Sequence, residues 1–360
     1  MQTFSYLTKY SSNETELREA ALAWFREARF GLFLHYGLYS LIGKGEWYMH
    51  HAGVSPADYA VWKDRFTAEQ FDADFITDLA LTAGMTYVNL TTRHHDGFCL
   101  FETAQHDFHS VNSPARRDLV GEMAEACRRK GLGFFIYYSY GLDWRDPNFD
   151  VKNPEKMARY VAFMQAQLRE LSTNYGPIAG FWFDLVGVTY AHPEVFAIQE
   201  SYDLIHKLQP QALVSYKQGA LGTEDYASCE FKIESLADFP PVKKLGPEAV
   251  ARATRAWELN REKPLEICTT LQKGSWGHND VGQPRRTSTE VRELMAGATW
   301  QRANLLLNAG PLPDGSFHPD DERILREVGE QLKQEGWPEP APPASERHEP
   351  VVPDQGAQAR

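Results

Sequence analysis

The chain has 360 residues, a formal net charge of −12, 42% hydrophobic residues and 24% charged residues. That balance belongs to a folded globular protein and is too apolar for a disordered one. An acidic chain without a Lys/Arg run lacks the basic footprint that nucleic acid or an anionic membrane surface needs. No stretch approaches the ~20 apolar residues of a membrane span. The opening segment MQTFSYLTKYSSNETELREA has no apolar core of the signal-peptide kind, which predicts a cytoplasmic protein. Cys99, Cys127, Cys229 and Cys268 stand singly, without CxxC spacing, and read as free thiols in a reducing compartment.

The first helix is signalled by Asn13 with Glu16 three residues on, the form of a capping box. Its apolar positions Leu17, Ala21, Trp24, Phe25 and Ala28 keep helical spacing. A β-prone run over 30–36 follows. A second helix is predicted over 69–83, stopped by Gly84, and leads into a strand over 86–92. A third helix over 118–130 closes at Gly131 before the run 133–139. The long helix around Met157, Met164 and Leu171 ends at Gly176 and leads to the run 179–184. A helix over 195–208 precedes the run 212–217, and two weaker runs follow at 225–230 and 265–270. A helix over 291–300, a strand over 303–308 and a helix over 321–333 complete the pattern. Eight β-rich runs, most of them followed by a helix, predict an α/β fold of the (β/α)8 TIM type. A doubly wound sheet is not supported, because RFGLFLHYGLYS offers no GxGxxG after the first strand. From Trp337 on, Pro338, Pro340, Pro342, Pro343, Pro350 and Pro353 interrupt any periodicity. The expected organisation is therefore a single catalytic domain over 1–336 and a Pro-rich flexible tail over 337–360.

In such a barrel the active site lies at the C-terminal ends of the strands. There the sequence places His35, then Glu46 and Trp47 in the following loop, His94 and His95, Tyr137, Trp182 and Asp184, Lys217, Glu230, and Glu266 leading to Trp276. Carboxylates and imidazoles bind hydroxyls, and indoles cover C–H faces, so the mixture suits a polyhydroxylated ligand. Asp184 also has the alternative of capping a helix after its strand. The adjacent His94 and His95 suggest a metal, but neighbouring strand residues point to opposite faces. No metal site and no cofactor are therefore assigned.

The chain resembles the α-L-fucosidases of glycoside hydrolase family 29 from Trp24 to about Gly336. The marks are FGLFLHYGLYS (30–40), EWY (46–48), TTRHHDGF (91–98), FFIYYSYGLDW (134–144), GFWFD (180–184), EICTTLQKGSWGHN (266–279) and NLLLNAGPLPDG (304–315). The resemblance implies a retaining, exo-acting hydrolase of terminal α-L-fucosyl residues, its partner being a fucosylated oligosaccharide or glycoside. Asp184 matches the nucleophile and Glu230 falls in the acid/base loop. His35, Glu46, Trp47, His94, His95, Tyr137 and Trp182 match positions that grip the sugar. Lys217 stands where other members carry Arg, and Trp276 matches an aromatic that packs on the sugar methyl group. Departures are Tyr36 for the usual Trp, Leu185 for a common Gly, and Ser228-Cys229 in the acid/base loop. The C-terminal β-sandwich of many members is not expected here. A fucose-binding barrel without catalysis is the alternative of another class.

Glu230 and Glu266 compete for the acid/base role, both being expected at strand ends on one rim. Glu266, inside a β-prone run, is expected to stay ionised beside a cation and to bind hydroxyls. Glu230, beside an irregular loop, suits a group that meets varied leaving groups.

Overall fold

The computed structural model describes residues 13–343. The expected barrel is present, and its strands fall where the β-prone runs lie. β1 (Phe30–Leu34), β2 (Tyr87–Arg93), β3 (Gly133–Ser139), β4 (Gly180–Asp184), β5 (Leu213–Tyr216), β6 (Ala227–Glu230), β7 (Leu265–Thr270) and β8 (Ala303–Ala309) form one sheet. The order is β5-β4-β3-β2-β1-β8-β7-β6, and each ladder is parallel. The seam between β5 and β6 has no full ladder. It is closed by Asp225 N–H donating to Val214 O at 2.8 Å and Ser228 N–H donating to Lys217 O at 2.9 Å.

The helices start and stop for local reasons. In α1 (Glu14–Ala28) the Asn13 side chain accepts from Thr15 N–H and its amide donates to Glu16 Oε1 at 3.1 Å. This cap pairs the two side chains. α2 (Ala73–Thr82) begins later than expected, because Asp72 accepts from the N–H groups of Asp74 and Phe75 and so sets the first turn there. α3 (Leu119–Lys130) is capped by Asp118 and ends at Gly131 in the left-handed region, φ 72°. α4 (Pro154–Thr173) is capped by Asn153, and α5 (Ile198–Leu208) precedes β5. α6 (Pro247–Asn260) was not anticipated. Its buried face is Ala249, Ala253, Ala256 and Asn260, a stripe of small side chains that carries little hydrophobic periodicity. α7 (Ser288–Trp300) opens on a full capping box between Thr287 and Glu290, and α8 (Pro319–Glu335) follows β8.

Strand alternation divides the apolar residues into two cores. Outward side chains such as Phe134, Ile136, Phe181 and Phe183 pack under the helices. Inward ones, including Phe33, Tyr87, Phe135, Tyr137, Trp182 and Leu306, fill the barrel. α1 closes the N-terminal end of the barrel. Its fully buried Phe25 lies 4.5 Å from the Tyr226 ring and 5.7 Å from the Phe135 ring, centroid to centroid. A buried ring of this kind stabilises by roughly 1.5–3 kcal/mol. With that end sealed, only the C-terminal ends of the strands can open to a ligand.

The stretch 337–343, read from sequence as the start of a flexible tail, is seated on the barrel. Trp337 Nε1 donates to Thr299 Oγ1 at 3.0 Å, and Ala341 N–H donates to Ala296 O at 3.3 Å. The rest of that tail and the first twelve residues lie outside the described residues. All four cysteines are free and buried, and burial pushes the thiols of Cys99 and Cys229 up to about 12. Among the described residues, no helix is long and apolar enough to cross a membrane.

Candidate active site

The pleat of β4 decides which side chains of GFWFD face inward. Trp182 joins the barrel interior and Asp184, two residues on, reaches the rim on the same face. Asp184 does not cap a helix. The short helix Val186–Ala191 has Leu185 at its N-cap, with no side-chain cap. Leu185 holds φ 62°, a left-handed conformation natural to glycine, and its N–H donates to Asp184 Oδ1 at 2.6 Å. Gly141 braces this turn from the loop after β3. Its N–H donates to Asp184 O at 3.0 Å, and a Cβ there would stand 2.0 Å from Leu185 O.

Asp184 is buried among donors. Tyr137 OH donates to Oδ2 at 2.7 Å, and Lys217 Nζ lies 3.0 Å from Oδ1. Burial opposes its ionisation, but Lys217 and the Tyr137 hydrogen bond outweigh that cost and hold the carboxyl well below the usual range. The same Lys217 ammonium contacts Glu230 Oε1. It also lies 4.9 Å above the Trp182 ring, so cation–π attraction helps to fix its position. Two bonds from one nitrogen keep these carboxylate oxygens within about 6 Å of each other.

Three imidazoles line the opposite side. Strand alternation does not govern His94 and His95. β2 ends at Arg93 after a register shift between Thr91 and Arg93, so the two rings lie in the turn beyond it, 4.0 Å apart. His94, His95 and Asp184 offer donor atoms within 4.8 Å of one another. A divalent cation bound among them would meet the fixed positive charge of Lys217, so the donor set fits a neutral hydroxylated ligand better. Burial holds His35 and His94 well below their usual value and takes His95 down to about 3, so all three are neutral at ordinary pH.

The hydrogen-bond network also assigns tautomers. Ser139 Oγ must donate to Leu142 O at 2.6 Å, so it accepts from His95 Nδ1–H at 2.6 Å. Asn308 Nδ2 donates to Trp276 O at 2.7 Å, so its Oδ1 accepts from His35 Nδ1–H at 2.6 Å. Nε2 of both rings is therefore an acceptor. His95 Nε2 faces Asp184 Oδ2 at 3.6 Å and has no hydrogen-bond donor, nor does buried His94 Nδ1 have a partner. Two acceptors facing each other call for a donor between them, which a sugar hydroxyl supplies.

Glu46 is buried, and its Oε2 accepts from Gly277 N–H at 2.8 Å. It thereby ties the EWY loop to the loop that carries Trp276. Burial raises its pKa. Trp276 lies 5.2 Å from the His35 ring and 5.9 Å from Phe33. Trp47 packs on His95 at 5.4 Å and on Trp144 at 5.1 Å.

Glu266 is the one expected site residue that is displaced from the rim. It is the second residue of β7, 1% exposed, and sits beneath Trp182. No cation holds it. Tyr87 OH donates to Oε2 at 2.7 Å, while Ser228 Oγ and Trp182 Nε1 donate to Oε1 at 2.7 and 3.2 Å. Burial outweighs these donors and pushes the carboxyl up to about 7. It orients Trp182 through the Nε1 hydrogen bond. Glu230, the last residue of β6, has a side chain 41% exposed and stands at the mouth. Sequence reasoning missed Ser139, Asn308 and Trp144. Of these, Asn308 had a signal, a polar side chain closing the apolar strand NLLLN.

A family model described as alpha-L-fucosidase matches residues 2–337. The chain belongs to the alpha-L-fucosidase family. It is accordingly a glycoside hydrolase. Among curated proteins it is similar to the tissue alpha-L-fucosidase of Bos taurus, 29% identical over 87% of this chain and 68% of that protein. Among solved structures it is similar to alpha-L-fucosidase isoenzyme 1 from Paenibacillus thiaminolyticus, with a TM-score of 0.75 and 30% identity over 89% of this chain and 77% of that one. It is also similar to AlfC from Lactobacillus casei, solved in complex with its alpha-L-fucose product. That likeness has a TM-score of 0.71 and 28% identity, and covers 87% of this chain and 98% of AlfC.

Proposed function

We propose that this family member is a retaining, exo-acting α-L-fucosidase that removes terminal α-L-fucosyl residues from oligosaccharides or glycoconjugates by double displacement. The observation that carries the reading is the sharing of one ammonium, Lys217, by Asp184 and Glu230. Retaining glycosidases hold their carboxyl groups ~5–5.5 Å apart and inverting ones ~6.5–9.5 Å, and a shared nitrogen favours the shorter class. Asp184 attacks the anomeric carbon as the leaving oxygen takes a proton from Glu230, and a covalent fucosyl ester forms on Asp184. Glu230 then removes a proton from the water that attacks the same carbon.

Charge balance gives Lys217 a role in both steps. Before attack the ammonium faces one ionised carboxylate, Asp184, and one protonated carboxyl, Glu230. After attack Asp184 is a neutral ester and Glu230 carries the charge, so the same cation serves whichever partner is ionised. His35, His94 and His95, neutral and acceptor-poised, take the sugar hydroxyls, with Glu46, Trp47, Tyr137 and Trp182 shaping the pocket and Trp276 covering the sugar methyl group. Both carboxylates stand at the mouth of the barrel, so nothing favours a fucose-binding barrel without catalysis.

The test is to follow hydrolysis of an aryl α-L-fucoside by proton NMR. The first fucose released is expected as the α-anomer. First-formed β-fucose, or no hydrolysis between pH 4 and 8, contradicts the reading.

A further inference from the structure

Phe231 directly follows Glu230 and is a large apolar side chain left 44% exposed beside a buried site. Its backbone has φ 61°, a region that aromatic residues rarely occupy. Lys232 N–H donates to Glu230 O at 2.7 Å across it, which makes Phe231 the centre of a γ-turn of the strained, positive-φ kind. Its own N–H is held by Cys268 O of β7 at 2.8 Å. Strain of this kind persists where the surroundings impose it, and it clusters where a ligand is gripped. Here it aims the ring across the mouth. The Phe231 and Trp276 centroids are 5.7 Å apart at 46°, so the two rings form a continuous apolar wall running outward from the sugar pocket.

We infer that Phe231 is the platform for the leaving-group sugar. Its occupant is the hexopyranose to which the fucose is attached, laid with a C–H face on the ring and its glycosidic oxygen toward Glu230. The assignment rests on the proposed roles of Asp184 and Glu230 and adds the acceptor side, which none of the site residues described above supplies. Exposed C–H/aromatic stacking here makes Phe231 a specificity-determining residue, because a leaving group without a ring face gains nothing from it.

The experiment compares the unaltered protein, Phe231→Ala and Phe231→Tyr on α-L-fucosyl fluoride and on an α-L-fucosyl disaccharide. Phe231→Ala is expected to lower kcat/KM for the disaccharide roughly tenfold, mainly through KM, with the pH profile unmoved and the fluoride rate within about twofold. Phe231→Tyr is expected to keep the disaccharide rate, which also shows that the turn tolerates substitution. Equal losses on both substrates, no loss on the disaccharide, or a loss in kcat with a shifted basic limb would overturn the assignment, since the last would mean damage to proton donation by Glu230. If the unaltered protein hydrolyses neither substrate, the fucosidase reading itself fails, an outcome seen before any variant is compared.

Discussion

Lys217 Nζ and Asp184 Oδ1 stand 3.0 Å apart with both side chains about nine-tenths buried. Lys217 is itself in the left-handed region, φ 51°, immediately after β5, so the turn delivers the ammonium inward instead of along the strand. This ion pair is the electrostatic centre of the site.

Replacing Lys217 by Met leaves Asp184 buried without its cation. Breaking such a pair costs about 3 kcal/mol of stability at neutral pH. The folded pKa of Asp184 is depressed below the ordinary 3.8. Its contribution is therefore present above that value and lost as pH falls through the lower folded value. Urea midpoints of the two proteins should thus differ most near neutrality and converge in acid, and the acidic limb of kcat/KM should move to higher pH in Lys217→Met. An unshifted acidic limb would remove Lys217 from the role of holding Asp184 ionised.

Glu230 and Glu266 are separated by their positions, one at the mouth and one below Trp182. With an activated aryl fucoside, Glu230→Ala should show an initial burst and slow turnover that azide restores, with α-fucosyl azide as product, since azide displaces Asp184 from the β-linked ester. Glu266→Gln should show no azide rescue and no burst. Rescue in the Glu266 variant alone would reverse the assignment.

The strands were legible because each β-prone run is bounded by a Gly, Pro or polar cluster, and the observed limits differ from the runs by only one or two residues. The depth of a residue within a strand was less legible. Glu266 lies near the start of β7, and its partners Tyr87, Ser228 and Trp182 come from three other strands, so no local pattern marks the polar layer inside the barrel. Strand alternation fails at His94 and His95 for a related reason. The register shift at the end of β2 sets aside simple alternation, and a shift of that kind leaves no trace in composition. Leu185 stands where Gly is common, and its φ of 62° makes it a strained position that no local pattern announces.

The buried neutral histidines set an acid limit on stability. His35, His94 and His95 are depressed below 6.5 in the folded state, so the unfolded chain binds more protons as pH drops below that value. Stability is fully present above about 6.5 and falls below it, with a limiting slope of about 1.4 kcal/mol per pH unit for each histidine. Urea midpoints measured down to about pH 5 should fall less steeply in His95→Asn than in the unaltered protein. Equal slopes would place a proton on His95 in the folded site.

Glu266 acts with the opposite sign. Its carboxyl is raised from 4.5 to about 7, so the folded state binds the extra proton and stability is lost as pH rises through that window. Glu266→Gln should therefore gain on the unaltered protein between those values, as read by the difference in urea midpoints. A constant difference across the window would mean that Glu266 is ionised in place.

The central claim is that Asp184 forms the covalent bond to fucose. Incubation with 2-fluoro-fucosyl fluoride, followed by proteolysis and mass spectrometry, reads that bond directly, because the 2-fluorine slows both steps while the fluoride leaving group keeps formation of the ester fast. The peptide carrying Asp184 is expected to gain one 2-fluoro-fucosyl group, the peptide carrying Glu230 to remain unmodified, and Asp184→Asn to take up no label. A label on any other residue, or none on a protein that hydrolyses aryl fucosides, would contradict the account.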